Sequence, residues 1–280
     1  MRRRLILVLL LLLPGLATAE PLRLVATIPP YAMLAQAVAG DAAAVTTLVQ
    51  RGRDPHHFDP AITDITRLRR ADLVIANGLG LRRVEKAIPD DAPTLRVAEA
   101  VTFEPIRDGS GAVNPHIWLD PAVARRGASA LAERLSQLRP DQAEAFRRRA
   151  GAFDERLAAA TRQARSLLTD LPTRLVVTQH PGFDYFLRRF DLELAGTYTD
   201  LAGSEPGPHR VRELIEAIRA AAIPAVFGEP QLPDGPVASL AAEAGVGRAE
   251  LDPLGLAKGI ATYPNLILIN ARRIRDAYNR

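Results

Sequence analysis

The chain holds five histidines and no cysteine, and its histidines are not scattered. His56 and His57 stand in "RDPHHFDP", and His116 stands in "NPHIWLDP". In both segments a Pro-His pair (Pro55-His56, Pro115-His116) shortly precedes an Asp-Pro pair (Asp59-Pro60, Asp120-Pro121). Proline fixes the backbone beside the imidazole and so lowers the entropy lost in holding the ring still. Asp at the cap with Pro at the first helical position is a helix start. Each imidazole is therefore expected just ahead of a helix, presented to something.

His180 closes the apolar run "RLVVTQH", and Asp252 stands at the same place in "RAELDPLG". Where such runs are strands of an open α/β sheet, ligands bind outside their carboxyl ends. His56, His116, His180 and Asp252 form one candidate set, three imidazoles and a carboxylate, which suits a divalent transition metal such as zinc. Four protein ligands fill a tetrahedral shell, whereas catalytic zinc keeps a position for water. The pattern thus favours holding a metal over using it. Helix N-termini nearby mildly disfavour a cation, and the carboxylate would offset that. His57 is read as solvent-exposed or as an outer partner of a ligand. Glu229 in "GEPQL" is read either as orienting a ligand imidazole or as capping the next helix. Asp252 precedes proline and is equally a turn former, in which case water completes the shell. His209 in "GPHRVREL" is read as exposed. Trp118, Phe183 and Phe186 are read as core or cleft wall.

These residues need elements to position them. Short β-type runs alternate with helical patterns, which implies α/β with largely parallel strands. "LRLVATI", "AVTTLVQ", "ADLVIANG" and "TLRVAEAV" read as strands in the first half; "RLVVTQH", "AAIPAVFGEP" and "GRAELDPLG" repeat the theme in the second. Between them, Phe146, Ala150, Phe153, Leu157, Ala160, Ala164, Leu167 and Leu171 recur at three- and four-residue intervals, bounded by Pro140 and Pro172. That spacing predicts one amphipathic helix of ~30 residues, roughly 45 Å long. The expected organisation is an N-terminal lobe over 20–139, a linking helix over 140–171 and a C-terminal lobe over 172–280.

Residues 1–19 read as a secretory signal peptide. Arg2, Arg3 and Arg4 precede an apolar run from Leu5 to Leu13, and Ala17-Thr18-Ala19 offers small residues before the cut. The run is too short to span a bilayer, which takes ~20 residues. With no cysteine there is neither a disulfide framework, a thiolate metal site nor a lipidation site, so the expected address is free in the periplasm. Removing the three signal arginines brings the formal charge of +4 close to neutrality. No basic block interleaved with aromatics stands out, so no nucleic-acid partner is expected.

The segments "DPHHFDP", "NPHIWLDP", "VVTQHPGFDYFLRRFDLE" and "AVFGEPQL…LDPLG" together resemble the four site segments of zinc/manganese solute-binding proteins of ABC importers, the TroA-like superfamily. They occur in the family's order, and the likeness extends over nearly the whole mature chain, including the central helix and the ending "YPNLILINARRIRDAYNR". The resemblance implies an α/β fold of two lobes with mainly parallel sheets, joined by one long rigid backbone helix. It implies a periplasmic monomer that binds one metal between the lobes and delivers it to an ABC permease in the inner membrane. By position, the family's ligands fall on His56, His116, His180 and Asp252. Members preferring manganese usually carry Glu where this chain has His180, which puts Zn2+ ahead of Mn2+ or Fe2+. Zinc-uptake members often carry a His- and acid-rich loop before the second ligand; here "IRDGSGAVNPH" is short and adds no histidine. The alternatives are the same role for manganese or iron(II), and an exported zinc-dependent hydrolase. The hydrolase has against it the lack of an H-E-x-x-H helix or an evident Ser-His-Asp set.

Overall fold

The computed structural model describes residues 20–279 apart from 51–53, 56–57 and 202. The expected signal peptide, His56 and His57 lie outside the described residues.

The first lobe runs β1 (Leu22–Ala26), α1 (Pro29–Ala39), β2 (Ala43–Thr47), α2 (Ile62–Arg69), β3 (Leu73–Ala76), α3 (Arg82–Glu85), β4 (Thr94–Arg96), α4 (Val97–Ala100) and α5 (Pro121–Leu138). The long α6 (Ala143–Leu167) follows. The second lobe runs β5 (Leu175–Thr178), α7 (Asp184–Arg189), β6 (Glu193–Thr197), α8 (Pro208–Ala220), β7 (Ala225–Gly228), α9 (Gly235–Ala244), β8 (Gly247–Glu250) and α10 (Tyr263–Tyr278). The two sheets have the same order, β2-β1-β3-β4 and β6-β5-β7-β8, and the strand pairs are all parallel. Parallel sheets covered on both faces require near-continuous apolar strands. "LVIA" of β3 and "AVFG" of β7 are buried at every position.

Such a sheet has a switch point between its two central strands, where connections leave in opposite directions and a crevice opens at the carboxyl ends. In the second lobe that point lies between β5 and β7, which end immediately before Gln179-His180 and Glu229.

The helix α6 belongs to neither lobe alone: it packs against α1 and α5 on one side and α10 on the other. Its buried stripe is Phe146, Ala150, Phe153, Leu157, Ala160 and Ala164. Burying each Phe or Leu side chain is worth about 1.5–3 kcal/mol, and Phe153 meets Tyr263 of α10 edge to face at 5.8 Å. Its 25 residues span about 37 Å, less than expected. The chain enters through a tight turn at Pro140–Gln142. It leaves at Leu168, since a residue before proline such as Leu171 disfavours helical geometry; Arg174 Nη1 then takes the Leu168 carbonyl. Among the described residues no helix is long and apolar enough to cross a membrane.

Two local expectations need correction. Asp59 does not cap α2: the helix begins at Ile62, and its first turn is closed by Asp64, which accepts from Ala61 N at 2.9 Å. In "TLRVAEAV" the strand stops at Arg96, and Val97–Ala100 turns helical. The second Asp-Pro pair does behave as expected, with Asp120 Oδ1 accepting from Ala122 N at 2.8 Å at the head of α5.

Candidate metal centre

His116 sits in a loop between the lobes, and both lobes hold it. On the N-terminal side Asn77, at the end of β3, donates from Nδ2 to the Pro115 carbonyl at 2.8 Å. Asn77 is itself fixed by Tyr31 Oη at 2.5 Å. On the C-terminal side Tyr185 Oη donates to the Asn114 carbonyl at 3.0 Å, Trp118 Nε1 donates to the Pro253 carbonyl at 2.9 Å, and Tyr263 Oη donates to the Trp118 carbonyl. Just beyond, Arg189 grips Asp120 with two bonds of 2.8 and 2.7 Å. The His116 ring is buried, 4.9 Å from that of Trp118.

His180 comes from the other lobe, where β5 ends. Its ring lies 4.7 Å from that of His116, edge to face. Glu229, at the end of neighbouring β7, places Oε1 3.4 Å from His180 Nδ1. The other Glu229 oxygen accepts from Gln231 Nε2 at 2.5 Å. Close approach needs Gly182: a Cβ there would stand 3.0 Å from His180 Nδ1 and 3.3 Å from Glu229 Oε1. Burial opposes the charged imidazole, but Glu229, with Asp54 and Asp184, outweighs it, and the His180 pKa is raised above its ordinary value. Burial pushes the Asp184 carboxyl up to about 6.

A proton and a metal compete for the same imidazole nitrogen. Metal affinity is therefore expected to fall as pH drops through the raised His180 value. In Glu229→Gln the largest of the raising charges is gone, so the loss sets in at lower pH. The same change removes an anion that orients the ring and strengthens it as a donor, so affinity at neutral pH should drop about 10–100-fold. Metal titrations from pH 8 to pH 5 on both proteins check this; superimposable profiles would count against the Glu229 role.

The two imidazoles and Glu229 face one cavity of about 330 Å³, walled also by Asp54, Pro55 and Glu205. Asp54 and Pro55 directly precede His56. Trp118 lines the cavity as well, while Phe183 and Phe186 are buried core residues. His209 is exposed on α8 beside Glu213. Among the described residues no three His, Asp or Glu side chains converge as a complete metal site.

Asp252 is fully buried and absent from the cavity wall, which its neighbours Pro253 and Leu254 do line. Its Oδ1 accepts from Leu254 N at 3.1 Å and Gly255 N at 2.8 Å, and Oδ2 accepts from Ala257 N at 2.7 Å.

Two parallel-sheet lobes astride one long helix have counterparts among known proteins. The family described as "ZnuA: Zinc-uptake complex component A periplasmic" matches residues 24–277. The chain belongs to this family. It is 31% identical to the iron-binding protein YfeA of Yersinia pestis, over 94% of this chain and 88% of that one. It is 24% identical to the manganese ABC transporter substrate-binding lipoprotein PsaA of Streptococcus mitis, over 82% of this chain and 79% of the other. The structure of the periplasmic zinc-binding protein TroA from Treponema pallidum superposes with a TM-score of 0.85 at 26% identity, covering 93% of this chain and all of TroA. As a ZnuA-family member the protein is a periplasmic metal-binding component that supplies an ABC permease. It is not an enzyme, and the hydrolase reading is set aside.

Proposed function

We propose that the metal is zinc, bound one per chain by His56, His116 and His180 and released to the permease by a free periplasmic monomer. The observation carrying this is the pair of buried imidazoles, one from each lobe, 4.7 Å apart and lining a shared cavity. The relatives' names span iron, manganese and zinc, so likeness alone does not choose among them. Ligand chemistry supports zinc over manganese: imidazole suits zinc, whereas carboxylate, carbonyl and water suit manganese. A histidine at 180 and a carboxylate spent on main-chain N–H groups at 252 give a nitrogen-rich set. Water completes the shell, and Asp252 fixes the loop that walls the cavity.

The test is elemental analysis of the mature protein followed by competition of zinc against manganese. One zinc per chain, not displaced by excess manganese, is the expected result. Manganese or iron at one per chain would overturn the zinc assignment and leave the transport role standing.

A further inference from the structure

We propose that Asn114 is the positioning residue of this site: its single amide sets which nitrogen of His116 faces the metal, and it ties that histidine to the turn carrying His180. The proposal rests on His116 and His180 being ligands.

Asn114 is buried and spends its amide in two directions. Its Oδ1 accepts from His116 N at 3.0 Å and lies 2.7 Å from His116 Nδ1. Its Nδ2 donates to the Pro181 carbonyl at 2.7 Å and to Asp184 Oδ2 at 3.1 Å. These partners fix the amide's orientation. A main-chain N–H only donates and a main-chain carbonyl only accepts, so oxygen must face His116 and nitrogen must face Pro181. A flipped amide would set oxygen against oxygen on one side and donor against donor on the other.

The tautomer follows. An amide oxygen cannot donate, so the hydrogen between it and His116 Nδ1 belongs to the imidazole. Neutral His116 then carries its lone pair on Nε2, the nitrogen a metal would take. Histidine ligands commonly owe ring orientation and basicity to such an acceptor on the other nitrogen.

The second half of the amide acts across the gap. Pro181 follows His180 directly, so the bond to its carbonyl pins the turn that holds the second imidazole. One planar group thus bridges His116 and the His180 turn, and the 4.7 Å ring separation is set partly through it. Aspartate would not serve. Its carboxylate could accept from His116 but lacks the N–H donors that bind the Pro181 carbonyl, and its charge would stand against the Asp184 carboxylate.

The experiment reads the tautomer directly, in metal-free protein labelled with nitrogen-15 in histidine. Long-range proton–nitrogen correlation spectra at about pH 8 are compared between wild type and Asn114→Ala, with the His116 signals assigned by their loss in His116→Gln. We expect the Nδ1–H pattern for His116 in wild type and its loss in Asn114→Ala, together with zinc binding weaker by about 10–100-fold. Asn114→Asp separates the two roles: it keeps the acceptor, hence the tautomer, but loses the bridge, hence affinity. An Nε2–H pattern in wild type, or an Asn114→Ala protein with unchanged tautomer and zinc affinity within twofold, would overturn the proposal. The wild-type reading needs neither metal nor an Asn114 variant that folds. If His116→Gln bound zinc normally while the tautomer was as stated, the ligand assignment would fail and the amide's effect on the ring would stand.

Discussion

His116→Ala is expected to weaken zinc binding by about 10²–10³-fold while the protein stays folded. Structural zinc bound through four ligands has an apparent binding free energy of roughly 10–16 kcal/mol. An equal share is about 2.5–4 kcal/mol, or roughly two to three powers of ten. The loop does not depend on the imidazole for its shape, because Asn77, Tyr185, Trp118 and Tyr263 hold its main chain from both lobes. Losing a buried ring beside Trp118 leaves a cavity, so a modest fall in melting temperature should accompany the loss of affinity. A chelator-competition titration with a thermal melt separates the two effects. His209→Ala is the matched control: its imidazole is exposed beside Glu213, and its removal should leave affinity unchanged. Affinity within tenfold of wild type in His116→Ala would remove this residue from the metal.

The histidines were legible in the sequence because residue type and proline neighbours are local properties. So were the paired α/β lobes, since buried parallel strands such as "LVIA" and "AVFG" must be apolar throughout. Less was visible at edges. The strand β6 (Glu193–Thr197) lies at the edge of its sheet, alternates exposed with part-buried positions and contains Gly196, so no apolar run announces it. The residues that hold the candidate ligands were harder still. Asn114 reads as an ordinary turn former, and its partner Asp184 lies 70 positions away; only the meeting of the two lobes joins them. The Arg189–Asp120 pair, 69 positions apart, is invisible for the same reason. For Asp252 the local signal did offer the turn-forming alternative, because an aspartate before proline commonly turns its carboxylate onto the main chain that follows.

That carboxylate carries the second large effect. Asp252→Ala is expected to cost the fold about 3–5 kcal/mol and to leave zinc affinity within tenfold. Three main-chain N–H groups, of Leu254, Gly255 and Ala257, would lose their acceptor in a buried loop. Each donor left unsatisfied costs about 1–3 kcal/mol before relaxation. Relaxation is limited because the segment is clamped from several sides. Asn270 binds both the Asp252 N–H and its carbonyl, each at 2.8 Å. Gly255 takes a left-handed conformation, φ +75°, within the same turn. A carboxylate offers roughly four lone-pair sites, and three are committed to the loop, which leaves little with which to reach an ion. Asp252→Asn keeps the shape but turns one acceptor into a donor against a main-chain N–H, so it should be destabilised nearly as much. Urea unfolding and zinc competition on both variants separate the roles. Stability lost with affinity kept is the expected result; affinity lost about 100-fold with stability kept would make Asp252 a ligand after all.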